Sequence, residues 1–439
     1  MKLLCRTTGS FLILLASLSF VSQSASAQTG DPLALVMTAD GPIMPPMLEY
    51  FKRGIEKAER DNAELLIIQL NTPGGSVTTM FEIVEAIGTS KVPVIIYVAP
   101  QDAQAASAGA LITMAGHAAA MAPRTVIGAA SPIDSSGGDI ESTLEKKIKE
   151  DLKAKARGLL EKRGISATRL AEAMIDDAKA VTADEALEAN LIDFVADDTE
   201  DLLQLLDGLT VTVNGESLIL DTANARTEPL EMSFIEQFLL LLTDPNIAFL
   251  LIAIGVQAVL IEISSPGGWV AGFIGVVCLT LATYGLGVLP VNWFGIIFLI
   301  TAFVLFILDI KAPTHGALTA AGVASFIIGA LVLFNSPGTP EFQRVSVPLV
   351  VSMGLFLGLL FLGILVFALR AMRVPIHAGA ESFTGKTGTV RSWQDAGGQV
   401  QLDSELWSAD SVNESETISK GDKVEVVEVK GIRLRVKKK

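Results

Sequence analysis

Residues 65–75 read Leu65-Leu66-Ile67-Ile68-Gln69-Leu70-Asn71-Thr72-Pro73-Gly74-Gly75. An apolar run without alternation predicts a strand covered on both faces, the kind found in parallel sheets. Proline then fixes one backbone angle and two glycines free the next, so the strand ends in a turn able to present peptide N–H groups near a helix start. Phe81, Ile83, Val84 and Ile87 follow at helical spacing. The pattern repeats outward. Leu33 to Met37 predicts a strand, and Met47 to Ala58 a helix with Leu48, Phe51 and Ile55 on one face. Val94 to Val98 is a second apolar strand, a helix is expected from about Ala105, and short strands lie near Ala119–Met121 and Val126–Ile127. Repeated strand–helix–strand units predict an α/β domain with parallel pairing over residues 28–233.

The rest of the chain is of another kind. Its 439 residues are 50% hydrophobic, 18% charged and 6% aromatic, with mean hydropathy +0.50. That is too apolar for soluble domains alone, and at roughly 150 residues per domain the length predicts about three units. Apolar runs near 247–263, 268–288, 291–309, 317–334 and 347–369 each approach the ~20 residues that cross a bilayer. We read them as about five transmembrane helices in a membrane domain, residues 234–374. The fourth, rich in Ala and Gly, is expected to face other helices. Phe234 to Leu242, cut off by Asp244-Pro245, is expected to be an interfacial helix.

At the N-terminus, residues 1–27 read as a secretory leader: Lys2 and Arg6, an apolar core from Phe11 to Val21, and the small residues Ala25-Ser26-Ala27. An uncleaved anchor is the alternative. A leader places residues 28–233 outside the cytoplasm of a bacterial-type inner or plasma membrane. An odd number of spans then places the C-terminus inside, in agreement with Lys311, Arg370 and Arg373 beside the span ends. Residues 380–439 are strand-rich and fit a small five-stranded OB-like barrel. With 48 acidic against 33 basic residues the net charge is -15, which argues against nucleic-acid binding. Trp393 and Trp407 are the main aromatic candidates for stacking, and the run Lys437-Lys438-Lys439 suits anionic lipid headgroups better than RNA or DNA. Cys5 and Cys278 fall in the leader and in an apolar run, so a disulfide framework or a cysteine metal cluster is excluded.

Chemistry is carried by two loops. The first is the turn at Asn71 to Gly75, which can hold an oxyanion or simply be a tight turn. The second is Gln104-Ala105-Ala106-Ser107-Ala108-Gly109-Ala110. A small hydroxyl residue at a helix start suits an exposed nucleophile, and the N–H of Ala108 would point with the helix dipole at charge developing on a substrate oxygen. An ordinary serine among small packed residues is the plainer alternative. A nucleophile needs a base, and His117 stands ten residues beyond Ser107, roughly 15 Å along a helix. A lysine made neutral by burial can serve instead. Leu144, Ile148, Leu152, Ala156 and Leu159 form the apolar stripe of a helix. Lys147 and Lys155 border that stripe, whereas Lys146, Lys149 and Lys153 point more to solvent. Spacing alone does not choose among them.

Together these segments resemble the long form of the NfeD family, membrane-bound serine proteases of the ClpP/crotonase-fold class. The likeness runs from Asn71-Thr72-Pro73-Gly74-Gly75 through Ala105 to Ala110, Met121-Ala122-Pro123, Ile127-Gly128-Ala129 and Lys147-Ile148 to Thr182-Ala183-Asp184-Glu185-Ala186-Leu187. The order of leader, protease-like domain, spans and barrel agrees with it. The resemblance implies Ser107 as nucleophile and Lys147 as general base of a Ser–Lys dyad, with Gly75 and Ala108 as oxyanion donors and Gly74 in the same substrate-binding turn. ClpP-type proteases carry a catalytic histidine about where Ala130 and Ser131 stand here, so a copied triad is not expected. The implied substrates are hydrophobic peptide segments of membrane proteins, notably of stomatin- or flotillin-like partners. A homo-oligomer in the lipid bilayer, without cofactor or metal, is expected. The alternative is a catalytically silent scaffold that binds an extended hydrophobic peptide by β-augmentation beside Gly74-Gly75.

Overall fold

The structure, a computed structural model, describes residues 31–132, 142–264, 268–312, 314, 316–336, 339–372, 380–395, 397–413 and 415–439. The expected leader, the Pro266 turn and Arg373 lie outside the described residues. The chain divides into two compact units, Met1–Val304 with Ala321–Leu355, and Leu305–Ala320 with Phe356–Lys439.

The first unit begins with β1 (Leu33–Asp40), α1 (Pro45–Arg60), β2 (Leu65–Asn71), α2 (Val77–Thr89), β3 (Val94–Val98), β4 (Gln104–Ala106), α3 (Ala108–Ala115), β5 (Ala118–Met121) and β6 (Val126–Gly128). It continues with α4 (Ser142–Leu159), α5 (Ile165–Asp176), β7 (Ala180–Thr182), α6 (Ala183–Glu188), β8 (Phe194–Val195), α7 (Thr199–Leu206), β9 (Thr210–Val213), β10 (Glu216–Ile219) and β11 (Arg226–Leu230). Six strands form one sheet in the order β11-β1-β2-β3-β5-β8, and every neighbouring pair is parallel.

The unbroken apolar run of β2 is explained by layers on both faces. Leu66, Ile68 and Leu70 enter a core with Met47 and Phe51 of α1, Ile83 of α2 and Leu111 of α3. Leu65 and Ile67 enter a second core with Tyr97 and with Leu202 and Leu206 of α7. Successive strand residues point to opposite faces, so a strand packed on both sides has no polar positions to alternate with. Tyr97 keeps its hydroxyl satisfied by donating to Ala196 O at 2.9 Å, and burial pushes its pKa up to about 12.

A second, three-stranded sheet, β4-β6-β7, completes the domain. It corrects one expectation: the helix expected from about Ala105 starts at Ala108, because Gln104–Ala106 pair with β6 and Ala105 bridges to Thr72. Three residues drawn into strand delay the helix and leave Ser107 at the corner.

Beyond β11 come α8 (Phe234–Leu242), α9 (Pro245–Ser264), α10 (Val270–Val288), α11 (Phe294–Lys311), α12 (Ala317–Phe334) and α13 (Val347–Met372). Among the described residues, four segments are long and apolar enough to cross a membrane: Pro245–Ile263, Val270–Val288, Ala317–Phe334 and Glu341–Phe367. Phe294–Asp309 is a shorter apolar helix. The Asn292 N–H donates to Leu333 O at 2.9 Å, so α11 starts at the level where α12 ends. Glycines allow the helices close approach, as expected for small residues in lipid. A Cβ at Gly295 would meet Gly329 O at 2.5 Å, and one at Gly275 would meet Gly255 O at 2.9 Å.

In the second unit, β12 (Thr387–Gln394), β13 (Gly397–Leu402), β14 (Glu405–Ser411), β15 (Lys423–Lys430) and β16 (Arg433–Lys438) close a barrel in the order β12-β13-β14-β16-β15. Val390, Val400, Leu402, Val424, Val426, Leu434 and Val436 fill it, and Trp393 and Trp407 pack against them. The two tryptophans therefore serve the barrel's own core. Two lysines of the terminal run are paired, Lys437 with Glu425 and Lys438 with Asp422.

Candidate active site

Where β2 ends, the chain threads between two extended neighbours. On one side Gly41 N–H donates to Asn71 O (2.9 Å), Ile43 N–H to Gly74 O (2.8 Å) and Ser76 N–H to Ile43 O (2.8 Å). On the other, Thr72 N–H donates to Gln104 O (2.7 Å) and Ala106 N–H to Thr72 O (3.0 Å). Side chains brace the same loop. Asn71 donates to Asp40 Oδ1 (3.0 Å) and accepts from Gln104 N–H (3.1 Å), and the buried Thr72 Oγ1 accepts from Gly74 N–H (3.1 Å). Because a trans peptide points its N–H opposite its carbonyl, holding Gly74 O toward Ile43 turns the Gly75 N–H away from it.

Ser107 sits between β4 and α3 with φ 53° and ψ -113°, and its side chain does not cap the helix it precedes. A positive φ on an L-residue costs about 1–2 kcal/mol, and it persists where surroundings over-determine it, most often at functional sites. Here Ser107 N–H donates to Gly128 O at 2.8 Å. Gly128 is itself at φ +133°, where a Cβ would lie 2.3 Å from Lys179 O. Ser107 is half-buried, and Ala108 behind it is 3% exposed. As first residue of α3, Ala108 has an N–H with no acceptor inside the helix.

The two loops meet. A Cβ at Gly74 would lie 2.8 Å from Ser107 Cβ and 3.3 Å from its Oγ, and one at Gly109 would lie 2.5 Å from Thr72 Cγ2. Ser107, Gly74 and Ala108 thus belong to one site, with Gly75 next in the loop. A strained serine on a strand-to-helix corner, beside peptide N–H groups, is the arrangement that exposes a nucleophile and receives an oxyanion.

The lysines are placed differently from one another. Lys147 is exposed on α4, and among the described residues no hydrogen bond joins it to Ser107. The Lys149 side chain pairs with Glu145 (2.8 Å) and is 21% exposed. Lys153 pairs with Glu150 (2.5 Å) and Asp176 (3.1 Å) and is 14% exposed. The hydrogen bonds it donates to Glu150 and Asp176 hold the Lys153 ammonium above its ordinary pKa. The expectation that Lys149 and Lys153 face solvent is therefore corrected: Asp176 at the end of α5 draws both inward. Lys155 Nζ lies 4.2 Å from the centre of the Phe81 ring.

The helix that opens at Ala108 ends at Ala115, before His117, and the His117 ring is bonded to β3. His117 Nδ1 accepts from Val94 N–H at 3.0 Å, and burial lowers its pKa despite that bond. At the two positions where the resemblance leads one to look for a ClpP-type histidine, Ala130 is 4% exposed and Ser131 Oγ donates to Ile175 O at 2.7 Å. Asn71, Thr72 and Gly128 stand in the motifs the sequence singles out, but their bracing of the turn and of Ser107 is not foreseen there. The short apolar stretch ending in Gly128 was the available signal for the last. A groove of about 400 Å³ between α1 and α2, lined by Glu56, Glu59, Glu82 and Glu85, does not include the site.

Family comparisons agree segment by segment. Residues 38–214 match the NfeD1b N-terminal domain, 246–367 the NfeD integral membrane domain, and 380–438 the NfeD-like C-terminal, partner-binding domain. The chain is 36% identical over 414 residues to the membrane-bound protease PH1510 of Pyrococcus horikoshii, covering 92% of this chain and 93% of that one. It is 25% identical over 452 residues to the membrane protein NfeD1b of Bacillus subtilis, covering 96% of each. Among solved structures, a lysine-to-alanine variant of the 1510-N membrane-bound stomatin-specific protease in complex with a substrate peptide is 37% identical. It covers 49% of this chain and 99% of its own, with a TM-score of 0.46. With three consecutive domains matched and a relative of 36% identity aligned over more than nine-tenths of both chains, the chain belongs to the NfeD family of integral membrane proteins and is a homologue of its membrane-bound protease.

Proposed function

We propose that this protein is an integral membrane serine endopeptidase that uses a Ser–Lys dyad to cleave hydrophobic segments of membrane-associated proteins, stomatin-like proteins foremost. Ser107 Oγ attacks the scissile carbonyl while Lys147, in its neutral form, accepts the proton. The N–H groups of Gly75 and Ala108 receive the oxyanion, with Gly74 keeping the turn open beside the serine. The protonated lysine then gives its proton to the leaving amine, and water releases the acyl group from Ser107. The observation that carries this reading is the strained Ser107 corner in contact with the Gly74 turn. Leader and basic flanks support an α/β domain outside the cytoplasm and a barrel within it.

The exposure of Lys147 gives the binding-only alternative a specific footing, since a peptide groove needs no base. The test uses the full chain in lipid nanodiscs with apolar peptides, including the C-terminal segment of a stomatin-like protein, and reads cleavage by mass spectrometry. Cleavage lost in both Ser107→Ala and Lys147→Ala, with peptide binding kept, is the expected result. Loss in Ser107→Ala alone moves the base to another group. Equal binding without cleavage in all three proteins establishes the scaffold and overturns the peptidase.

A further inference from the structure

Helix α8 presents four large apolar side chains to the outside. Phe234 is 81% exposed, Ile235 66%, Phe238 37% and Leu241 51%, and the rings of Phe234 and Phe238 stack at 6.2 Å. At helical spacing these four share one side, and Glu236, Leu239 and Leu240 fall on the other. That other side is occupied. Glu236, 8% exposed, takes two bonds of 2.7 Å from the Arg53 guanidinium of α1. It also accepts from Ser233 N–H at 2.7 Å, closing a capping box. Arg53 donates further to Glu231 O at 2.8 Å, and Leu240 packs on the α/β core.

The far end of α8 is tied to the membrane helices. A Cβ at Gly285, near the end of α10, would lie 2.5 Å from Leu242 O. Only Thr243 and Asp244 separate α8 from Pro245, where the first membrane segment begins. Ser346 N–H, just before α13, donates to Asn246 Oδ1 at 2.8 Å. The exposed apolar side of α8 therefore continues, within two residues, into surface that is covered by lipid.

We propose that α8 lies in the headgroup–acyl boundary with Phe234, Ile235, Phe238 and Leu241 in lipid, and that the Arg53–Glu236 pair clamps the α/β domain in one pose on the bilayer surface. Interfacial helices usually rely on lysines and arginines of their own polar side to hold anionic lipid. Here the polar side is spent on the protein, and the adjoining span supplies the retention. Arg53 belongs to the helix that follows Ile43, the residue that holds the Gly74 turn, so the clamp joins the membrane surface to the scaffold of the site.

The test uses the full chain with Cys5 and Cys278 replaced by serine, one copy per nanodisc of mixed neutral and anionic phospholipid. A nitroxide is placed in turn at Phe234→Cys, Phe238→Cys, Lys91→Cys as a water reference and Val276→Cys as a lipid reference. Collision with oxygen exceeding collision with a water-soluble nickel reagent at 234 and 238, as at 276, is expected. Accessibility like that at 91 overturns the membrane anchor. Two-copy discs in which labels at 234 couple to each other and lose oxygen contact would make the surface a copy-to-copy interface and equally overturn it. For the clamp, the distance between labels at Lys52→Cys and Phe238→Cys is expected to broaden when Glu236→Gln is added. An unchanged distribution removes the clamp while leaving the anchor to the accessibility result.

Discussion

Gly74→Ala separates backbone strain from crowding of the nucleophile, because Gly41 provides a matched control. Gly74 stands at φ +110° and Gly41 at φ +117°. Placing an L-residue at such angles costs about 1–3 kcal/mol, so both variants should melt lower, by roughly 2–4 °C per kcal/mol for a domain of about 200 residues. The two sites differ in what the new methyl group meets. Nothing lies within 4 Å at Gly41, whereas at Gly74 the methyl would meet Ser107 Cβ at 2.8 Å, Ser107 Oγ at 3.3 Å and Ala106 O at 3.4 Å. The first contact is too short to survive, so Ser107 or the loop has to shift. A misplacement approaching 1 Å costs on the order of 10²-fold in rate. Measured as kcat/KM on an apolar peptide, with melting followed on the same preparations, Gly74→Ala is expected to lose between about 10-fold and 100-fold. Gly41→Ala should keep most of its activity at a comparable loss of stability. Equal activities in the two variants would show that the contact between Gly74 and Ser107 does not position the nucleophile, and the reasoning from geometry would fail.

Ser107→Gly is expected to abolish cleavage yet melt above Ser107→Ala, by the few degrees that correspond to about 1–2 kcal/mol of left-handed strain; thermal melts of the two variants decide it. Burial lowers the His117 pKa below 6.5, so the unfolded chain binds that proton more readily than the folded one. The contribution of His117 is complete above pH 6.5 and falls as the pH drops through the lowered folded value; His117→Gln, which keeps an acceptor for Val94 N–H, should flatten the melting profile between about pH 5 and 7 without altering peptide cleavage. If substrate coverage supplies the desolvation that a lysine base needs, the rising limb of kcat should lie at lower pH than that of kcat/KM. Coincident limbs would place the required burial in the free enzyme.

The fold was legible wherever burial is two-sided. Leu65–Leu70 and Val94–Val98 announced themselves because strands packed on both faces leave no polar register, and helices such as α1 showed their single buried stripe. The edge of the sheet was not legible. β11, Arg226-Thr227-Glu228-Pro229-Leu230, is half polar and contains a proline, since an edge strand pairs on one side only and needs little apolar content. β14 carries a weak sequence signal for a related reason: of its seven residues only Ala409 is buried in the barrel core. Its place follows from closure between β13 and β16, a long-range relation that local composition does not encode.

Within the site, legibility tracks how much of a residue's role is backbone chemistry. Gly74, Gly75 and the small residues around Ser107 could be singled out because only particular residue types fit a tight turn and a crowded helix start. What Ser107 does geometrically, taking a φ of 53°, depends on Gly128 accepting its N–H from β6, the neighbouring strand of the small sheet but some twenty residues on in sequence. Asn71 likewise braces the turn through Asp40 and Gln104, both remote in sequence, while the Thr72 hydroxyl does so locally through Gly74. The lysine was hardest, because its stripe constrains only the apolar residues of α4. Along that helix, neighbours narrow the choice among five lysines: Glu145, Glu150 and Asp176 engage Lys149 and Lys153, and Phe81 takes Lys155. Those contacts commit three of the five to carboxylates or a ring. Lys146 and Lys147 are both left exposed, so contacts along α4 narrow the choice to two without completing it. The serine is fixed by what touches it, whereas among the described residues the contacts along α4 treat Lys146 and Lys147 alike.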